Sequence, residues 1–249
     1  DYRLTEAEEN RFRSFVTRRA AREPFQHITG RQEFYGLEFE VTPDVLIPRP
    51  ETELIVENAI QILRERQSAA AASICEVGTG SGCISISILH EVRQATALGL
   101  DISEKALAVA QRNAARHGVS DRLELKISDV FAAVKDDKKF DLIVSNPPYI
   151  PAKDVEHLQA EVRDFEPLTA LTDHRDGLSI LEKIFRESPA RLLPGGSLLM
   201  EIGIDQAEQS RAMFATAAAA AAAGGDWRTV EILPDLQGIP RMIKAETLC

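Results

Sequence analysis

Asn146-Pro147-Pro148-Tyr149 is the stretch of this chain whose residue types and spacing point most directly to chemistry. It follows the apolar run Phe140-Asp141-Leu142-Ile143-Val144-Ser145, which reads as a buried strand. Neither proline has an N–H to give to a ladder, so the chain must leave the sheet at Asn146, the strand's carboxyl end. Open α/β sheets place their ligand crevices at such ends. The result is a stiff corner with an amide side chain, free carbonyl oxygens and an aromatic ring. Such a corner suits a planar –NH2 group. Asn146 Oδ1 and a backbone carbonyl, that of Pro147, accept its two hydrogens, and Tyr149 packs on its face. The competing reading is a Pro-rich turn with Asn146 as an ordinary turn residue.

A second constellation begins at Glu76-Val77-Gly78-Thr79-Gly80-Ser81-Gly82-Cys83, after the first strand of an alternating region. Gly78, Gly80 and Gly82 permit a tight turn and close backbone approach to a ligand. Glu76 supplies an anion where a cationic group such as an amino acid ammonium would sit. No Lys-Ser/Thr follows, which argues against a nucleoside triphosphate. The next strand ends at Asp101, whose carboxylate can accept both hydroxyls of a ribose. The third ends in Ser128-Asp129-Val130-Phe131. Asp129 could accept adenine amino hydrogens, and Val130 or Phe131 could cover a ring face. For Asp101 and Asp129 the alternative is helix capping or turn formation. Acids at three successive strand ends share one sheet edge.

The elements that must position these groups follow from periodicity. Strands are expected at 73–78, 96–101, 122–127, 140–145, 197–203, 228–233 and 240–246, and helices at 81–92, 103–117, 177–192 and 205–223. This alternation predicts an α/β fold, a mainly parallel sheet with helices on both faces. No helix separates the last two strands, so the final one should pair antiparallel. Upstream, residues 1–22 read as a short amphipathic helix with Leu4, Phe12, Phe15 and Val16 as its apolar positions, 33–41 as a β-hairpin around Gly36, and 51–66 as a helix. Alanine runs at 69–72 and 217–223 are helix-competent and carry no functional reading. The chain opens at Asp1 without a methionine, so a longer protein is expected.

Composition narrows the class. With 44% hydrophobic and 27% charged residues over 249 positions, this is an ordinary globular composition. No apolar run approaches the roughly 20 residues of a membrane span, and the polar start is unlike a signal peptide. Cys75, Cys83 and Cys249 have no metal-ligand spacing, and Cys75 reads as inert packing; a reducing cytoplasm is expected. The five histidines form no pattern. Trp227 reads as packing, and Arg49 and Glu51 either pair near a helix start or line the site. A net charge of −10 disfavours a polyanion and favours a small-molecule or protein substrate.

Taken together, the glycine loop, the strand-end acids and Asn-Pro-Pro-Tyr resemble the Rossmann-like S-adenosylmethionine-dependent methyltransferases that modify planar amino groups. Within that branch the chain is similar to the release-factor glutamine methyltransferases, the HemK or PrmC family. The segments that carry the likeness are Pro24–Gly30, Phe34–Phe39, Leu46-Ile-Pro-Arg-Pro-Glu-Thr-Glu53, Phe165-Glu-Pro-Leu-Thr-Ala-Leu171 and Asp176-Gly-Leu178. It runs from about residue 23 to the C-terminus, and Ile-Pro-Arg-Pro-Glu-Thr-Glu is its most specific part. The resemblance implies a seven-stranded methyltransferase sheet preceded by a hairpin and the end of an N-terminal helical domain. It implies that Glu76, Gly78, Thr79, Gly80, Ser81, Gly82, Asp101, Asp129, Val130 and Asn146 hold S-adenosyl-L-methionine, with S-adenosyl-L-homocysteine as product. Val130 stands where the family often has an aromatic. Asn146, Pro147, Pro148 and Tyr149 are implied to bind the substrate glutamine, with Asn146, Pro147 and Tyr149 acting in catalysis.

The division expected is 1–30 for the end of the helical domain, 31–50 for a hairpin linker and 51–249 for the methyltransferase domain. The expected partner is a peptide chain release factor, met by a monomer without direct nucleic-acid or membrane contact. Two other readings compete. A nucleic-acid methyltransferase acting on an exocyclic amine of adenine or guanine would use the same tetrapeptide on a flipped base. The acidic balance and the lack of a target-recognition domain count against it. A non-catalytic cofactor-binding scaffold is the other, and an intact Asn-Pro-Pro-Tyr counts against that.

Overall fold

The computed structural model describes residues 3–66, 71–212 and 227–248. At its start lie α1 (Glu6–Ala20) and α2 (Phe25–Thr29), then the hairpin strands β1 (Arg31–Phe34) and β2 (Leu37–Glu40). Thr5 and Glu8 begin α1 with a reciprocal capping box. The expected amphipathic packing of α1 is absent: it buries no residue, and Phe12 and Val16 are 60% and 51% exposed. It is tied down by charge instead, through Arg19 and Arg22 to Glu161. The hairpin turns on Tyr35-Gly36, both at positive φ, which matches the twist of paired strands.

A short 3-10 turn over Pro50–Thr52 leads into α3 (Glu53–Glu65). Ile55, Val56, Ala59, Ile60, Ile62 and Leu63 are its buried face, at helical spacing. The alternating region then runs β3 (Ser73–Val77), α4 (Cys83–Glu91), β4 (Thr96–Asp101), α5 (Glu104–Arg116), β5 (Leu123–Ile127) and β6 (Phe140–Ser145). After the corner come two single-turn helices, α6 (Ala160–Arg163) and α7 (Leu168–Leu171). They are followed by α8 (Ser179–Glu187), β7 (Leu192–Glu201), β8 (Trp227–Pro234) and β9 (Pro240–Thr247).

The seven strands from β3 onward form one sheet in the order β5-β4-β3-β6-β7-β9-β8. Pairing is parallel from β5 through β7, and β9 lies antiparallel between β7 and β8, as expected for the final strand. The strand order reverses direction at β3, so the crevice of an open sheet falls beside its carboxyl end. Alternate side chains fill two cores. Ile74, Leu142 and Leu199 face α3 and α4, while Cys75, Ile143 and Leu198 face α8. Trp227 stacks on Phe185 at 5.1 Å within the second core, in the packing role read from the sequence. Cys75 is buried and free, and its thiol pKa is pushed up by burial.

Two elements differ from expectation for local reasons. The strand expected at 197–203 starts at Leu192, because Pro194-Gly195-Gly196 is absorbed as an irregularity in its pairing with β6 rather than ending the strand. The helix expected at 177–192 stops at Glu187, where Pro189 converts the continuation into a 3-10 turn. Of the helix expected at 205–223, residues 207–212 are helical, 205 and 206 precede the helix, and 213–223, the alanine run at 217–223 included, lie outside the described residues, as does Cys249. No helix among the described residues is long and apolar enough to cross a membrane.

Candidate active site

The carboxyl ends of β3, β4 and β6 open onto a cavity of about 270 Å³. Glu76, Gly78, Thr79, Gly80, Ser81, Asp101, Asp129, Val130, Asn146 and Pro148 all line it. Sequence reasoning thus brought one wall together from four separate strand ends.

The glycine loop is built onto β4. Gly78 and Thr79 both donate backbone N–H to the Leu100 carbonyl, at 2.8 and 3.0 Å. Gly80 donates to Asp101 Oδ2 at 2.8 Å, while Asp101 Oδ1 accepts from Ser103 N at 2.8 Å. Asp101 is therefore a turn-former that also faces the cavity; helix α5 is capped by Ser103 instead. A Cβ on Gly80 would meet nothing within 4 Å, so this backbone borders open space. Gly82 is at φ +81 and begins α4, away from the cavity wall. Buried Asn113 anchors the loop from behind, donating to Ser81 O at 2.9 Å and to Glu40 O at 3.0 Å.

Glu76 is fully buried and faces the cavity. It accepts a hydrogen bond from Ser85 N at 3.3 Å, and no cation pairs with it among the described residues. Desolvation pushes its pKa up to about 8, and nearby Asp101 adds to the rise. Burial raises Asp101 as well. Two under-compensated acids in one cavity are suited to a ligand carrying positive charge.

The third strand end is less exclusive. Asp129 lines the cavity but is more than half exposed and accepts an ion pair from Lys183 at 2.9 Å. Val130 is buried in the wall at φ +51, a strained backbone for a β-branched residue. Phe131 does not cover a ring face: it is 1% exposed and belongs to the core under β4.

At the corner, Asn146 and Pro148 line the cavity, while Pro147 and Tyr149 do not. Tyr149 was expected to lie on the face of the bound amide. Instead its hydroxyl donates to Glu201 Oε1 at 3.1 Å, and its ring packs with the second core. Asn146 Nδ2 donates to Thr52 Oγ1 at 3.0 Å, and Thr52 Oγ1 donates to Glu201 Oε2 at 2.6 Å. Among the described residues no hydrogen bond reaches Asn146 Oδ1 or the Pro147 carbonyl. Asn146 Oδ1 is thus left as a free acceptor at the cavity wall, whereas Pro147, whose carbonyl was expected as the second acceptor, does not line the cavity.

Further supports come from segments singled out by their resemblance. Arg49, read either as a partner for Glu51 or as lining the site, lines the cavity and pairs with buried Glu166, which also accepts from Ile47 N at 3.1 Å. Glu166 thereby joins the Pro-Arg segment to Phe165-Glu-Pro over the cavity. Gln206 donates to both Tyr149 O at 2.8 Å and Gly177 O at 3.0 Å, fixing the corner against the 173–178 loop. Gly177 sits at φ +79, and a Cβ there would come within 2.2 Å of the Tyr149 carbonyl oxygen. Gly177→Ala is expected to destabilise the fold by on the order of 2–4 kcal/mol, from backbone strain plus overpacking. Denaturant unfolding measures this, and a loss below about 0.5 kcal/mol would show that the corner yields freely.

Comparisons with known proteins bear on this geometry. Residues 53–162 match the family model described as methyltransferase small domain, and residues 1–30 match the PrmC N-terminal domain. The chain is 48% identical over 202 residues to a release factor glutamine methyltransferase of Geobacter sulfurreducens, covering 81% of this chain and 68% of that protein. It is 45% identical over 235 residues to a release factor glutamine methyltransferase of Cereibacter sphaeroides, covering 94% and 78%. The chain belongs to the release factor glutamine methyltransferase family. A methyltransferase structure from Pyrococcus furiosus superposes with a TM-score of 0.58 at 16% identity, covering 97% of this chain and 99% of that one, so the fold is shared well beyond the family.

Within this family member, Thr52, Glu201, Glu166 and Gln206 are the site-building residues that sequence reasoning missed. Glu201 carried a readable signal: a charge closing the apolar run Leu198-Leu199-Met200 at a strand's carboxyl end. Among the described residues no His/Cys/Asp/Glu group could hold a metal ion.

Proposed function

We propose that this protein transfers a methyl group from S-adenosyl-L-methionine to the side-chain amide nitrogen of a glutamine in a peptide chain release factor. The observation that carries the reading is the pairing, in one cavity, of the cation-free Glu76 carboxylate with the unengaged Oδ1 acceptor of Asn146. The first suits the ammonium of the cofactor's methionine part and the second suits a carboxamide –NH2. The family membership supports the same substrate.

The residues present fit the cofactor. Glu76 would hold the ammonium, the backbone of residues 78–81 would approach the methionine part, Asp101 would accept the ribose hydroxyls, and Asp129 and Val130 would border the adenine. When bound, S-adenosyl-L-methionine supplies an electrophilic methyl group. The chain's own task is then alignment, because an amide nitrogen is a poor nucleophile with its lone pair delocalised. Near-attack positioning supplies roughly 7–11 kcal/mol in well-oriented systems. The acceptor at Asn146 Oδ1 draws on an N–H bond and favours a pyramidal nitrogen. Pro148 walls the cavity beside Asn146, and Tyr149 holds the corner in place from outside the cavity. No strong base borders that acceptor, and none is needed before transfer, since the product nitrogen sheds its proton afterwards.

The element boundaries support a division into 1–30, 31–50 and 51–249, in which the first part is the end of a helical domain. Incubation with labelled cofactor and either a release factor or tRNA and DNA tests the substrate. Label on a release-factor glutamine, located by peptide mass spectrometry, is the expected result. Label in nucleic acid alone would overturn it.

Asp101→Ala is expected to weaken cofactor binding by about 1.5–3 kcal/mol, through loss of charge-assisted hydrogen bonds to the ribose. Calorimetry measures this directly. Unchanged affinity would leave Asp101 as the turn-former of Gly80 and Ser103 only.

A further inference from the structure

The Asn146 carboxamide is nearly symmetric in shape, yet only one of its two orientations presents an acceptor to a substrate amide. The neighbouring groups decide which. Thr52 and Glu201 are both 2% exposed, so their hydrogen bonds are shielded from water. The Thr52 hydroxyl has one proton, and its 2.6 Å contact with Glu201 Oε2 has the length of a hydroxyl donating to a carboxylate. Toward Asn146 at 3.0 Å, Thr52 Oγ1 is then left as an acceptor. An acceptor there requires Nδ2 of Asn146, because Oδ1 has no proton to give. The other Glu201 oxygen accepts from Tyr149, so both carboxylate oxygens are engaged by hydroxyls. Burial raises the Glu201 pKa, and the Thr52 and Tyr149 hydroxyls together with nearby Arg241 act the other way, favouring the carboxylate that accepts from both.

We propose that Glu201 and Thr52 are positioning residues that set the Asn146 amide, turning Oδ1 to the substrate nitrogen and thereby selecting an –NH2 donor over a carboxylate. This rests on the proposed glutamine acceptor for its substrate, though the orientation itself does not. Glu201 also fixes Tyr149, so one buried acid holds the tetrapeptide at both ends. The pair reaches the corner from β7 and from the start of α3, which makes the orientation a property of the folded sheet rather than of the tetrapeptide.

Three variants test this: Thr52→Val, which keeps shape and loses the hydroxyl, Thr52→Ser, which keeps it, and Glu201→Gln. With saturating cofactor, Thr52→Val and Glu201→Gln are expected to lower kcat on the release factor about 10- to 100-fold, with cofactor Kd within about twofold of wild type. Thr52→Ser should stay within about threefold. A purely structural role would not change selectivity. The sharper readout is therefore competition by a release factor whose reactive glutamine is replaced by glutamate. Wild type should discriminate against it, and Thr52→Val should lose about tenfold of that discrimination. Equal losses in Thr52→Val and Thr52→Ser, or unchanged discrimination in Thr52→Val, would overturn the proposal.

If a variant fails to fold, the wild-type protein still decides. Its Asn146 side-chain NH2 resonance should show a proton protected from solvent exchange by Thr52. Exchange as fast as that of an exposed asparagine would sink the idea. Wild type that methylates no release factor but keeps this protection would refute the substrate and leave the orientation standing.

Discussion

Replacing Asn146 by alanine is expected to cut turnover about 10²–10³-fold, the loss typical of one preorganised hydrogen-bond acceptor or donor at a developing charge. Cofactor affinity should stay within a few fold. The asymmetry follows from position. Asn146 borders the cavity, but the groups suited to the cofactor's charged and hydroxylated parts are Glu76 and Asp101, on other strands. The Asn146 side chain bonds only Thr52 among the described residues and supports no part of the glycine loop. Its removal leaves Thr52 with its bond to Glu201, so the fold should lose at most about 1–2 kcal/mol. Single-turnover methylation with saturating cofactor measures the chemical step without product release. A variant with near-normal turnover would remove the tetrapeptide from the chemistry. A variant whose cofactor affinity collapses would move Asn146 into the cofactor site.

What was legible in the sequence was local. The sheet follows from period-two burial in short apolar runs. The antiparallel last strand follows from the missing helix before it. The strand-end rule located Glu76, Asp101 and Asp129 because a charge at the end of a buried strand is conspicuous. The same rule applied to Leu198-Leu199-Met200-Glu201 would have found Glu201, which closes the strand beside that of Asn146.

What was not legible depends on contacts between distant segments. Thr52 and Glu201 are 149 residues apart, and neither has a local pattern that announces the other. The Tyr149 ring was assigned to the substrate because an aromatic next to a Pro-Pro corner has an obvious use. Its hydroxyl had an equally good partner that only the folded sheet supplies. Arg49 and Glu51 are sequence neighbours of opposite charge, yet Arg49 spans 117 residues to reach Glu166. Glu51 stays exposed. Helix α1 shows the converse: apolar residues at helical spacing gave an amphipathic reading, but the helix buries no residue and Phe12 and Val16 stay more than half exposed.

Cofactor affinity is expected to rise with pH toward about 8, with Glu76 as the cause of the rise, and to fall beyond it as the cofactor's own α-ammonium loses its proton. In the free protein its pKa is pushed up to about 8, from an ordinary value of 4.5, by burial. At neutral pH the folded protein therefore holds a proton on Glu76 that the unfolded chain has lost. Between those two values the folded state binds more protons, so its stability falls as pH rises. The contribution is fully present below 4.5 and is lost as pH passes about 8. A ligand ammonium beside Glu76 favours the ionised carboxylate and draws its pKa down. Binding at pH 7 must then expel the proton, and affinity improves by up to about tenfold per pH unit until Glu76 is already ionised. Calorimetry across about pH 6 to 8, in two buffers of different ionisation enthalpy, reads both the slope and the released proton. Glu76→Gln should bind more weakly at pH 8 and lose most of the slope, with Asp101, also raised by burial, left to carry what remains. A flat wild-type profile, or the same slope in Glu76→Gln, would show that the ammonium site lies elsewhere.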